Sequence, residues 1–316
     1  MENLARKKER SPPEKDLNLE STFLKGFAQE QNTSFHLEKE KTVMEITVNS
    51  IVKELENRGY IVDEQTCIKN GIEVLGLAVK KNEDDKVVPT IYPEDIIKEA
   101  DERGLTVSEV VEGLIPVIEQ RPSIDIDRFT DREYLLSHVR IGVQKEGSEN
   151  LVKRNSPFEG IEEYLYIADD MDGQGFSVKL KPQMLEMAGI KAKGLFKVAE
   201  ANNHEEFTAT PMINLISKMM GEDVGAIEDL PMYVISNKAG MKGASAMLDK
   251  KSISALADEI GVHEFVLLPS SIHECILVPH TRESDLEMFE NMVKEVNATT
   301  VDPLERLVDR AYLLTA

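Results

Sequence analysis

Residues 263–301 read HEFVLLPSSIHECILVPHTRESDLEMFENMVKEVNATTV, and the fold class is argued from them. Residues 265–268 and 275–278 are short runs that are apolar at every position, the signature of strands covered on both faces. The Pro269-Ser270-Ser271 link between them carries turn residues, so the pair reads as a β-hairpin. A helix follows. Ser284 with Glu287 has the spacing of a capping box, and Leu286, Phe289, Val293 and Val296 recur at helical spacing to give one apolar face. A hairpin with a helix that must bury one stripe is a two-layer unit, and the class it predicts is α+β.

Working outward, the same signals recur in both directions. Met44, Val48, Ile51, Val52 and Leu55 form a helical stripe stopped by Gly59. Residues 60–62 open a strand, Asn70-Gly71 is a turn, and 72–79 is a second strand. Residues 87–92 read as a short edge strand, because Pro89 cannot donate to a ladder. Pro93 starts a helix that Gly104 ends. Thr106 and Glu109 box the start of the next, whose face is Val110, Val111, Leu114 and Ile118, with Pro116 expected to kink it. A helix near 134–139 is followed by a polar stretch over 145–155. Residues 164–168 and 176–180 read as strands, 182–188, 191–202 and 211–220 as helices. Residues 232–236 read as a strand with 244–248 as its hairpin partner, and 250–260 as a helix. Residues 303–314 are open between helix and strand. Hairpins and helices succeed one another without strict βαβ alternation, which again favours α+β.

Residues 1–38 are polar, contain Pro12-Pro13 and lack an apolar face, so they read as a disordered arm. An N-terminal α+β subdomain is placed over 39–120, a soft boundary segment over 121–155, and a C-terminal α+β subdomain over 156–316. The chain has 316 residues, 41% of them hydrophobic, which is enough for a core of this size. Its formal net charge is −21, a field that repels phosphate backbones and argues against nucleic acid as a partner. The start of the chain has no apolar signal segment, and no run has the ~18 apolar residues of a membrane span, so a cytoplasmic location is expected. Cys67 and Cys275 have no metal spacing and no disulfide framework, and both are expected to be buried, inert thiols.

Four stretches carry candidate chemistry. Asp169-Asp170-Met171-Asp172-Gly173 invites a calcium loop. With Gly173 in sixth place, however, Ala168 and Lys179 fall where ligands are required, so it reads as an acidic turn. Asn237, Lys238, Gly240, Lys242, Gly243 and Ser245 follow a strand as phosphate loops do, but lack Gly-Lys-Ser/Thr and an evident helix start, which leaves them as cofactor-binding candidates beside a plain hairpin turn. Ser270, Ser271, His273 and Glu274 collect nucleophile, base and acid types. If 272–278 is extended, alternation puts Glu274 on the face opposite His273 and Cys275, with His273 and Cys275 ~7 Å apart, and no third group is evident. His263, His273 and His280 lack compact ligand spacing, so no metal is expected, and nothing implies a cofactor.

Val88-Pro89-Thr90-Ile91-Tyr92, Leu268-Pro269-Ser270-Ser271-Ile272-His273-Glu274 and Val293-Lys294-Glu295-Val296-Asn297-Ala298-Thr299 resemble a domain-of-unknown-function family of anaerobic, gut clostridial-type Gram-positive bacteria. The likeness runs over residues 40–316. It implies a shared fold and adds no chemistry. The leading expectation is a non-catalytic binding or accessory protein with a protein partner, a mobile element being one setting for it. The alternative is an enzyme or nucleotide-binding protein that uses the 237–245 and 270–274 turns. The discriminating observation is whether those two turns meet in one pocket.

Overall fold

The computed structural model describes residues 45–85, 88–119, 126–171, 174–220, 232–269, 271–281 and 285–315; the polar arm and the Asp172-Gly173 tip lie outside them. The class is α+β: helices with three antiparallel sheets. Two compact units are present. One is Met1–Cys67, Leu75–Ile124 and Asp169–Phe176; the other is Ile68–Val74, Asp125–Ala168 and Ser177–Ala316.

The first unit begins with α1 (Val48–Asn57), capped by Thr47, whose hydroxyl accepts from Ser50 N. Strands β1 (Ile61–Lys69) and β2 (Ile72–Lys80) follow, of which Ile68–Val74 counts with the second unit, then β3 (Thr90–Ile91), in the order β1-β2-β3. From the opening expected at 60–62, β1 runs on to the Asn70-Gly71 turn, through a polar Asp63-Glu64-Gln65-Thr66 stretch that is exposed and shows no alternation. Helix α2 (Pro93–Arg103) ends on left-handed Gly104 as expected, and α3 (Val107–Glu119) starts on the Thr106–Glu109 box, with Thr106 N donating to Glu109 at 2.7 Å. Ile51, Leu55, Leu77, Val79, Ile96, Val110, Val111, Leu114 and Ile118 close one core. Cys67 is only partly buried, contrary to expectation, since it lies on this half-open strand.

The second unit holds α4 (Arg132–His138), β4 (Val139–Lys145), β5 (Lys153–Asn155) and, apart from Asp169–Phe176, β6 (Ile161–Met171) and β7 (Gln174–Lys179), with β4-β6-β5 in that order and β7 on β6. Helices α5 (Pro182–Ala188) and α6 (Ala192–Glu206) come next, then β8 (Phe207–Pro211), α7 (Met212–Met220) and β9 (Tyr233–Asn237). After β9 the reading needs its main correction. Residues Gly243–Leu248 form a 3-10 helix and not a strand. All of Gly243 to Met247 is buried, so the run is covered on every side and carries no period that separates the two. Helix α8 (Lys250–Ile260), β10 (Glu264–Leu268), β11 (Cys275–Pro279), α9 (Leu286–Thr299) and β12 (Tyr312–Thr315) complete the chain.

The five-stranded sheet runs β12-β10-β11-β9-β8. The opening hairpin is its centre, paired antiparallel from Phe265↔Pro279 to Leu268↔Ile276. Alternation then sorts its two faces. Phe265, Leu267, Cys275 and Leu277 join Ile235, Ala244, Met247, Ile253 and Leu256 in one cluster. Val266, Leu268 and Val278 take Phe289 and Val293 of α9 in another. Helix α9 is capped by Asp285, whose carboxylate accepts from Glu287 N; Ser284 is outside the described residues.

Candidate functional site

The turns at 237–245 and 271–274 do meet, at one knot of backbone. Asn237 closes the first turn on itself: its side-chain amide donates to Met241 O at 2.7 Å and accepts from Met241 N at 3.2 Å. Gly240 and Lys242 take positive φ, +68° and +52°, which turns the chain into the 3-10 helix. Gly243 is then wedged where no side chain fits. A Cβ there would stand 2.1 Å from Ser236 Oγ, 2.6 Å from Asn237 N and 2.8 Å from His273 O. Ser236 Oγ donates to His273 O at 2.8 Å, and Ala244 N donates to Ile272 O at 3.2 Å.

His273 is fixed through both ring nitrogens. Lys242 N donates to Nδ1 at 3.2 Å, and Nε2 faces Glu305 Oε1 at 3.1 Å. A nitrogen that accepts from an amide carries no hydrogen, so this pairing puts the ring hydrogen on Nε2, facing Glu305. The hydrogen bond from His273 is the main reason the Glu305 carboxyl is held below the ordinary carboxylate range. Ser271 Oγ accepts from His273 N at 3.1 Å and Glu274 N at 3.4 Å, a local turn cap and not a partner of the ring. Glu274 points to solvent, as does Lys238, while Lys242 Nζ reaches Ser177 Oγ at 2.9 Å. Ser270 lies outside the described residues. The strand begins only at Cys275, so the alternation expected to separate His273 from Glu274 does not apply. The third group unseen in the sequence is Glu305, brought up by an isolated bridge between Ser271 and Arg306. Cys275 is fully buried, which pushes its thiol far up, and its sulfur donates to Ala244 O at 3.6 Å.

The concave feature lies beside this knot. A cavity of about 500 Å³ is lined by Ile141, Ala201, Asn203, Ser245 and Leu248, with Lys197, Glu200, His204, Glu205, Asp249, Lys250 and Lys251 around it. Ser245 is the one residue of the 237–245 turn that reaches it. Asn237 and Gly243 line a neighbouring void of about 20 Å³ that has room for no more than a water-sized molecule. Asn203 organises the floor. Its carbonyl accepts from Ile141 N at 3.1 Å; its amide donates to Ile141 O and to Ser245 Oγ, both at 3.0 Å.

At one edge stand Ser252, His204 and Asp249. Asp249 caps α8 by accepting from Ser252 N at 3.1 Å, takes the Ser252 hydroxyl at 2.7 Å, and meets His204 Nδ1 at 2.7 Å. Burial pushes the Asp249 carboxyl up, but the hydrogen bonds from Ser252 and His204 outweigh that and hold it below its usual value. A nucleophile, a base and an acid are therefore in contact, yet not as a relay. Ser252 Oγ also lies on Nδ1, at 3.2 Å, so hydroxyl and carboxylate address the same ring nitrogen. Nucleophilic catalysis needs them on opposite nitrogens. None of Asp249, Ser252, His204 and Asn203 was singled out from the sequence, and for the last two the reason is that α6 runs on to Glu206 through a polar stretch with no apolar marks.

Elsewhere His280 Nδ1 meets Glu264 at 3.0 Å. Among the described residues no cluster of three metal-ligating side chains occurs. Nor, among them, is any helix long and apolar enough to cross a membrane.

The family of unknown function DUF5688 matches residues 41–315, and the chain belongs to that family. No curated protein and no solved structure matches it.

Proposed function

We propose that this DUF5688 member is a non-catalytic binding protein, and that its ligand seat is the cavity between α6 and α8. The observation that supports this is how hydrogen-bonding capacity is divided. At the His273 knot the ring nitrogens, the Ser271 oxygen and the Ser236 hydroxyl are all engaged in holding backbone segments together. Around the cavity, Lys197, Lys250 and Lys251 form no ion pair or hydrogen bond with the described residues. A concave surface with polar groups left over is what a ligand site requires. Both cysteines are unpaired, which fits the reducing cytoplasm as its place of action.

Ala201 is an exposed helical residue on the cavity wall, so a bulky side chain there fills the space without touching a core. A small-molecule library screened by thermal shift should yield compounds that stabilise the wild type and fail to stabilise Ala201→Trp. If every stabilising compound acts equally on both proteins, the cavity is not the seat. If any compound is turned over, and His273→Gln or His204→Gln abolishes the turnover, the enzyme reading replaces this one.

A further inference from the structure

The rim of the cavity is chemically biased. Three lysines, one histidine and three carboxylates surround it, so the raw composition is mixed. Internal pairing removes the balance. Glu200 is taken by Arg154 at 2.8 Å, and Asp249 is taken by Ser252 and His204, both at 2.7 Å. Glu205 and the ionised Asp249, whose charge those hydrogen bonds do not cancel, remain among the described residues to face Lys197, Lys250 and Lys251, three cations against two anions. A chain with a formal net charge of −21 thus gathers an excess of unpaired cations at this concavity.

The floor points the same way. Ser245 is 5% exposed, and its oxygen accepts from Asn203. No described residue accepts the Ser245 hydroxyl hydrogen. A buried hydroxyl with its donor unengaged, inside a cavity, calls for an acceptor from outside. Asn203 has no second choice, since its oxygen and both amide bonds are already committed to Ile141 and Ser245. The cavity therefore offers donors and cations. Ile141, Ala201 and Leu248 add an apolar wall, which suits an organic body attached to the charged group.

Resting on the reading of this cavity as the ligand seat, we infer that its ligand is a small phosphate ester, the phosphate held by Lys197, Lys250, Lys251 and the Ser245 hydroxyl. Phosphate presents several acceptor oxygens and about 1.5 to 2 negative charges, which matches flexible ammonium donors better than one carboxylate does. At about 500 Å³ the space accommodates a nucleotide-sized molecule.

Titration calorimetry on the full chain with ATP, AMP, pyrophosphate and adenosine tests this. ATP or AMP should bind more tightly than pyrophosphate, adenosine should bind at least tenfold more weakly than either, and added salt should weaken the phosphate compounds only. Lys197→Gln with Lys250→Gln and Lys251→Gln should lower affinity at least tenfold, with melting unchanged because all three side chains are exposed. Ser245→Ala should lower it about fivefold, the size of one hydrogen bond. Adenosine binding as tightly as AMP, or a triple variant that binds ATP like the wild type, overturns the phosphate assignment. Should neutral compounds from the library lose their effect in Ala201→Trp while no phosphate compound binds, the seat stands and its ligand class falls. Should Ala201→Trp change nothing at all, both fall.

Discussion

The knot around His273 and the cavity beside His204 are built from the same side-chain types and put them to opposite uses. In the knot, serine, histidine and glutamate face backbone from three separate stretches of chain, and each group has a partner. In the cavity, a carboxylate, a serine and a histidine pair among themselves and leave lysines without a counterpart and one buried hydroxyl, Ser245, with an acceptor bond from Asn203 but its own hydrogen unengaged. Residue type alone does not separate a fastening from a site. What separates them is whether hydrogen-bonding capacity is consumed internally.

The sharpest test of the knot is Gly243→Ala. Three contacts under 3 Å await the new methyl, one of them backbone nitrogen and one a carbonyl oxygen, so strand β9 or the 271–274 turn must shift. A loss of about 3 kcal/mol by chemical denaturation is expected, the upper range for overpacking. A loss below about 1 kcal/mol would show that the knot yields easily and would blur the contrast. His273→Gln should come next, at about 1 kcal/mol, because glutamine keeps one of the two bonds. Its effect should be on melting alone, with ligand affinity at the cavity unchanged.

Acid sensitivity distinguishes the two regions more finely. Glu305 and Asp249 both have folded-state carboxyls held below their unfolded values. Each therefore contributes stability that is present above the unfolded carboxylate range, about pH 4, and is lost as pH falls through the lowered folded value. His273→Gln removes the main cause of the Glu305 shift and should flatten the acid limb of a stability-against-pH curve. His204→Gln should flatten it less, since Ser252 continues to hold Asp249. Equal flattening by both would mean that the cavity edge is as structural as the knot. The smallest effect is expected from Lys197→Gln or Lys251→Gln, within about 0.5 kcal/mol of wild type, as for exposed positions without partners.

Most of the frame could be read from residue pattern. The β10–β11 hairpin, the Thr106–Glu109 box and the Gly104 terminus are where alternation, capping and glycine placed them, because each signal is local. Strands β4 and β8 escaped for different reasons. β4 is buried along Val139 to Gln144 with Gly142 and Gln144 interrupting the apolar run, and β8 (Phe-Thr-Ala-Thr-Pro) is half-buried throughout and has no alternation to show. The residues 243–248 look like a strand for as long as burial on all sides mimics one. The site was the least legible part. Glu305 reaches His273, and His204 reaches Asp249, across long stretches of chain, and no spacing rule anticipates such pairs. Whether the two turns meet was left open by the sequence; they do, as a packed contact lined by backbone and not as a pocket.

Folding speed follows from the strand order β12-β10-β11-β9-β8. The central pair, β10 and β11, is joined by a short turn, so its loop-closure entropy is small and it can form early. Every other pairing in that sheet encloses a helix or the 3-10 segment, with β12 reaching β10 only after α9. Such non-local ladders set a slow overall rate. The His273 knot joins β9 to β11 across that delay. It should therefore be unformed in the transition state, so His273→Gln would speed unfolding and leave the refolding rate nearly untouched.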